Sequence, residues 1–258
     1  MRNLESKLLE ILNPNEQMFG RGTFYQSFPD LKIQGQRSSS KRFKVYKLDK
    51  LLNDKSKVLD IGCNCGFFSL ITAKNSQIVH SVEPNKTLIK IANLVKDHLK
   101  IKNCVFFNST FDDFNTNEKF NLIFSFAVHH WVKCSFFKYI KRLSALLEPD
   151  GIIIFESHAL NSIDKFFLKR IEIFKDLGFE LKEINEIQEE KDMKRLFGVL
   201  VKKENFVDVS RFNKLYAFIN CYWIILLNFF LNKRNYFIYL LKRFIALIFK
   251  LTGRNGKN

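Results

Sequence analysis

Two sets of residues in this chain have the types and spacing that chemistry needs. The first is the run Asp60-Ile61-Gly62-Cys63-Asn64-Cys65-Gly66, which follows the apolar residues of 57–61 and precedes the helix-like FFSL. Gly62 and Gly66 have no Cβ, so backbone can come close to a ligand there, and the helix that follows leaves free N–H groups at its start. A dinucleotide fingerprint would need a third small residue at the sixth position from Gly62. Phe67 stands there, which weighs against a nicotinamide or flavin site. Asn64 occupies the middle position of an acid-led glycine pattern, and Asn tolerates left-handed backbone angles. One apolar run later, HSVEPN (80–85) ends on Glu83 and Pro84. A carboxylate at that place can accept both hydroxyls of a ribose. The plainer alternative is an acid favoured at a helix N-terminus.

The second set is built of histidines. The chain has five, and three of them lie in FSFAVHHWV and FESHAL, as His129, His130 and His158, with Glu156 close by. Imidazole titrates near neutrality and suits a general base, and a carboxylate can orient it. A purely structural hydrogen-bonding role is the competing reading for each. The same four side chains are of types that bind divalent metals. Adjacent His129–His130 is nevertheless not the usual helical ligand spacing, and no metal is expected. Cys63 and Cys65 make a CxC without a matching pair, which is poor zinc spacing.

These groups need a scaffold. Short apolar runs at 57–61, 78–82, 104–108, 121–126 and 151–156 alternate with amphipathic stretches near 67–74, 85–98 and 135–147. Continuous apolar strands separated by helices imply a mostly parallel sheet covered on both faces. A helix over 164–177 and two late strands, 179–184 and 196–201, suggest an antiparallel hairpin at the sheet edge. In an open α/β sheet ligands sit beyond the carboxyl ends of the strands. That rule brings Ser125, Phe126, the histidines and Trp131 to one crevice. The boundaries read as an N-terminal helical and irregular segment (1–52), a catalytic domain (53–203) and an aromatic, basic helical tail (204–258).

The acid-led glycine turn and the acid ending the next strand resemble class I S-adenosylmethionine-dependent methyltransferases over about 55–160. The resemblance implies a Rossmann-like methyltransferase fold and S-adenosyl-L-methionine as cofactor. By the same resemblance, Asp60, Gly62, Cys63, Asn64 and Gly66 hold the methionine part, while Glu83 and Pro84 serve the ribose. Within NSTFDDF, Thr110 and Phe111 fall where the family contacts adenine, and Phe111 reads equally well as core. Ser125 and Phe126 fall where cofactor and acceptor meet. The Asn/Asp-Pro-Pro-aromatic motif of base amino-methylation and the Pro-Cys pair of pyrimidine-carbon methylation are both missing from this loop.

A softer resemblance covers about 20–200. FYQSFPDLKIQGQRSSSKRF (24–43), AVHHW and FESH are similar to bacterial methyltransferases of cell-surface glycan clusters. It implies a small-molecule or glycan-precursor acceptor, methylated on oxygen or nitrogen with a histidine as base. Arg37 and Arg42 could hold an anionic group of it, since guanidinium binds phosphate or carboxylate in a fork. Trp131 completes the expected acceptor side.

The formal charge of +16 keeps nucleic acid open as a partner, with a tRNA nucleotide as the rival acceptor. Much of the basicity accompanies a Lys, Asn, Ile and Phe bias, 29 Phe included, that A/T-rich codons would produce. Five cysteines, an odd number in a chain this size, fit reduced thiols in a cytoplasmic protein. The charged N-terminus does not read as a signal peptide. In the tail, LYAFINCYWIILLNFFL and the basic-aromatic run after it suit the surface of an anionic membrane. A third reading is therefore a non-catalytic, cofactor-binding protein at the membrane periphery.

Overall fold

The computed structural model describes residues 4–12, 23–159, 164–190 and 193–203. All of them belong to one compact unit, Met1–Asp208. The helical tail and membrane surface expected at 204–258 lie outside the described residues.

The chain begins with helix α1 (Leu4–Ile11), then strand β1 (Phe24–Gln26), a 3₁₀ turn (Pro29–Leu31), β2 (Gly35–Arg37), α2 (Ser39–Val45) and α3 (Leu48–Leu51). The alternating part follows as β3 (Lys57–Ile61), α4 (Phe67–Ala73), β4 (Ile78–Val82), α5 (Lys86–His98), β5 (Cys104–Phe107), β6 (Phe120–Phe126), α6 (Phe136–Leu146) and β7 (Leu147–Glu156). It closes with α7 (Lys165–Asp176), β8 (Phe179–Glu190) and β9 (Met193–Lys202).

Seven strands form one sheet in the order β5-β4-β3-β6-β7-β9-β8. Strands β3 to β7 pair in parallel, and β9 runs antiparallel to both β7 and β8. This is the α/β architecture with an edge hairpin that the apolar rhythm implies. The central strands are buried on both faces: Val58, Leu59, Ile123, Phe124, Ile153 and Ile154 are all 2 % exposed or less. The chain order reverses between β3 and β6, which opens a crevice beyond their carboxyl ends.

Boundaries differ where local chemistry overrides periodicity. In the N-terminal segment the helical part before β3 starts at Ser39, because the Ser38 hydroxyl accepts from Lys41 N and caps α2. It is then split, since Lys47 adopts a left-handed φ of 54° between α2 and α3. The hairpin strands are longer than their apolar runs. Their pairing continues out to Glu190 and Met193, where polar residues carry no periodic apolar signal. The N-terminal segment, read as helical and irregular, also contains a two-stranded parallel pair, β1 with β2.

Candidate active site

The turn after β3 takes the shape its residues permit. Gly62, Asn64 and Gly66 have φ of 76°, 55° and 69°. Gly62 N and Cys63 N both donate to Val82 O, at 2.8 and 3.1 Å, which ties the turn to the end of β4. Asn64 supports itself, as its Oδ1 accepts from Cys65 N at 2.8 Å.

Glu83 follows Val82 and is held on two sides. Its Oε2 accepts from Asn64 N at 3.1 Å and its Oε1 from Asn85 N at 3.0 Å. Burial pushes the Glu83 carboxyl above its ordinary range, and the two backbone N–H groups oppose that. Asn85 then caps α5, its side chain accepting from Thr87 N and Leu88 N.

These residues border a cleft of about 410 Å³, lined by Gly62, Asn64, Glu83, Pro84, Asn85 and Leu88 together with Phe126, Ala127, Val128, Trp131, His158, Tyr25 and Arg195. The size is that of a small-ligand site. Phe126 is stacked on Tyr46 (4.7 Å between ring centroids) and on Phe124 (4.9 Å), so its wall is rigidly packed. Ala127 carries a left-handed φ of 54°, a strained angle of the kind that gathers at functional sites.

Several expected cofactor residues lie outside this lining. Asp60 is 2 % exposed and accepts from Ser69 Oγ at 2.6 Å, beneath the turn. Burial raises its carboxyl to about 7, against the pull of the Ser69 bond and with the help of nearby Glu83. Cys63 is buried, and burial pushes its thiol well up. A Cβ on Gly66 would meet the Phe106 ring at 2.4 Å, so this glycine answers to packing. Thr110 Oγ1 donates to Asp113 Oδ2 at 2.6 Å within its own turn. Phe111 is core, packed on Tyr139 (5.3 Å) with the Arg142 guanidinium over its ring. Ser125 is fully buried, its Oγ 2.8 Å from the Tyr139 hydroxyl.

The three histidines do meet. Ring centroids are 4.3 Å apart for His129–His130 and 4.6 Å for His130–His158. Their settings differ. His129 is 8 % exposed, wedged against Phe155 and Phe136, with neither ring nitrogen hydrogen-bonded among the described residues. Burial, then Arg170, drives its pKa well below the ordinary value. Burial and Arg170 also lower His130, to about 4. His158 is the member that lines the cleft, exposed, with Nδ1 3.4 Å from Ala127 O and Trp131 edge-on at 6.0 Å.

Two expectations need correction. Glu156 does not orient a histidine. It is 1 % exposed, accepts from Tyr46 OH at 2.6 Å and Arg42 Nη1 at 2.9 Å, and lies 3.7 Å from Arg195 Nη1. A buried carboxylate goes to the cations that compensate its desolvation. Arg37 and Arg42, expected as exposed anion binders, are 9 % and 7 % exposed. Both pair with Glu189, Arg37 Nε at 3.3 Å and Arg42 through Nη2. Burial alone would lower the Arg42 pKa, but Glu156, Tyr46 and Glu189 outweigh it and hold it above the usual value. They clamp the N-terminal segment onto β7 and β8. Trp131 is 52 % exposed and lines the cleft.

Arg195 lines the cleft without a local motif to announce it, while Tyr25 and Ala127 lie within FYQSF and AVHHW, where the expectation falls on other residues. Arg195 sits in β9, between β7 and β8, and only the β7–β9 pairing brings it near His158. No group of three or more His, Cys, Asp or Glu among the described residues is arranged to hold a metal ion. Nor is any described helix long and apolar enough to cross a membrane.

Comparison with known proteins bears on the family and the fold. A family model described as a methyltransferase domain matches residues 35–199. No curated protein matches the chain. Among solved structures, the N-methyltransferase NodS from Bradyrhizobium japonicum WM9, in complex with S-adenosyl-L-homocysteine, shares 16 % identity. That match covers 79 % of this chain and 100 % of NodS, with a TM-score of 0.54. An rRNA methylase from Streptococcus thermophilus has 15 % identity, covers 64 % of this chain and 95 % of its own, and has a TM-score of 0.50. The [4+2]-cyclase SpnF has 13 % identity, 67 % and 86 % coverage, and a TM-score of 0.51. At such identities the matches speak for the fold alone. The family match spans more than half of the chain, which therefore belongs to the methyltransferase domain family and is an S-adenosylmethionine-dependent methyltransferase.

Proposed function

We propose that this enzyme methylates an oxygen or nitrogen of a small molecule or glycan precursor in the cleft between the Gly62–Gly66 turn and the 126–131 loop, with His158 receiving the proton. The observation that carries this reading is that His158, alone of the three clustered histidines, lines the cleft. In the tautomer with hydrogen on Nδ1, that nitrogen donates to Ala127 O and leaves the Nε2 lone pair for an acceptor's proton. His130 beneath it is neutral at pH 7, because its pKa is lowered to about 4. The neighbouring ring therefore adds no positive charge against proton uptake.

The residues of the other wall fit the cofactor. Glu83 offers a fixed carboxylate for a diol, its orientation set by Asn64 N and Asn85 N. Gly62 presents bare backbone beside Val128. Pro84 and Leu88 supply apolar surface. When bound, S-adenosylmethionine supplies a methyl group on a sulfonium, open to in-line displacement. This chain's share is to hold the acceptor in line, keep water from the packed Phe126 wall and take the proton. Asp60 acts indirectly, through Ser69 at the start of α4.

A labelled-methyl transfer assay on fractionated cell material tests the acceptor class. The label should appear in small molecules or in lipid-linked glycan precursor. Label confined to nucleic acid would replace this reading with the RNA one.

A further inference from the structure

We infer that the acceptor carries an oxyanion, a carboxylate or a phosphate, which Arg195 receives. The inference rests on the reading of this cleft as the place of transfer, and goes beyond it to the charge of the molecule transferred to. Among the described residues that line the cleft, Glu83 is the one carboxylate, and it belongs to the cofactor wall. The other charged residue of the lining is Arg195, bonded to the carbonyl that precedes His158. A cationic acceptor would find no counter-charge there, and an anionic one would.

Arg195 is built to stay in place with donors left over. It is 5 % exposed. Its Nη1 donates to Ser157 O at 3.2 Å, which fixes the guanidinium to the strand end next to His158. Its carboxylate neighbours are distant and shared: Glu156 Oε2 at 3.7 Å and Glu189 Oε1 at 3.4 Å. Arg42 engages both of the same carboxylates, approaching Glu156 at 2.9 Å. Arg195 Nε is buried 3.4 Å from Glu189 Oε1 without a hydrogen bond, and no described residue bonds Nη2. Buried donors rarely stay unsatisfied. A held guanidinium with Nη2 open at the wall of a cleft matches an oxyanion, which accepts a charge-assisted hydrogen bond from it. Because the side chain is already held, little ordering cost falls on binding. Arg195 is bonded to the carbonyl of Ser157, directly before His158, so the anionic group and the methylated atom lie close together on one small acceptor.

The test measures binding, not turnover, so it is separable from the methyl-transfer reading. The full-length protein, saturated with S-adenosylhomocysteine, is titrated calorimetrically with benzoate, phenyl phosphate and benzamide, three probes of similar shape. One or both anions should bind roughly tenfold or more tighter than neutral benzamide, the size of a charge-assisted hydrogen bond. The preferred anion tells carboxylate from phosphate. Arg195→Gln should bring the anions close to benzamide while S-adenosylhomocysteine still binds, which shows the variant is folded. If that variant does not fold, Arg195→Lys, which keeps the charge without the fork, should lose part of the preference. Benzamide binding as tightly as both anions, no anion binding at tens of millimolar, or a preference retained in Arg195→Gln overturns the inference. Should the anions bind as expected while no acid in a panel is ever methylated, the transfer reading fails and the anion site stands.

Discussion

At the residue scale, side chains with similar sequence credentials have been given different work by burial. His129, His130 and His158 look interchangeable in AVHHW and FESH, yet only His158 reaches the cleft. His158→Ala should lower turnover by about 10²–10⁴-fold with cofactor affinity unchanged. Steady-state kinetics beside calorimetry would show it, and wild-type turnover in the variant would remove the base. Asp60 makes a pH prediction. Its folded pKa of about 7 stands above the ordinary 3.8, so between pH 4 and 7 the folded protein holds a proton that the unfolded chain has released. Stability from this group therefore falls as pH rises through that window. Asp60→Asn should melt above wild type at pH 8, with the gap closing below pH 4. Parallel melting curves from pH 4 to 8 would mean that Asp60 is not strained by burial. The need for left-handed backbone at Asn64 was legible in the sequence, because few residue types tolerate it. Which way Asp60 or Ser125 turns was not, since partners such as Ser69 and Tyr139 are set by packing.

At the element scale, the alternating strands and helices follow from apolar runs and caps. The clamp on the N-terminal segment does not. Arg42, Tyr46, Glu156, Glu189 and Arg195 come from α2, the residue after it, β7, β8 and β9, and form one buried cluster. Pairs separated by more than a hundred residues leave no periodic trace, so Glu156 reads from sequence as a partner for the nearby histidines. Removing one member of a buried ion pair typically costs ~3–5 kcal/mol. Glu156→Ala should lose about that in urea unfolding. A variant with unchanged stability but impaired proton transfer would restore Glu156 to the histidines.

At the scale of the whole molecule, the +16 charge and the tail bear on partners and leave the fold aside. Composition and periodicity were enough for the sheet and its edge hairpin. They were not enough for the far wall of the cleft, which is assembled from β1, the 126–131 loop, His158 and β9. The aromatic, basic residues of 204–258 predict attachment to anionic vesicles in flotation. The full-length chain should float with anionic lipid, and a chain ending at 203 should not. Equal behaviour of the two would remove the membrane from the account.

The central claim is that the turn after β3 and Glu83 make the cofactor wall. Calorimetric titration of S-adenosylmethionine into wild type and Glu83→Ala tests it most directly. Wild type should bind, and the variant should bind more weakly by ~1–3 kcal/mol, the usual loss for a hydrogen bond to a charged group. Equal affinity in the two proteins would contradict the assignment of Glu83 and, with it, the placement of the cofactor in this cleft.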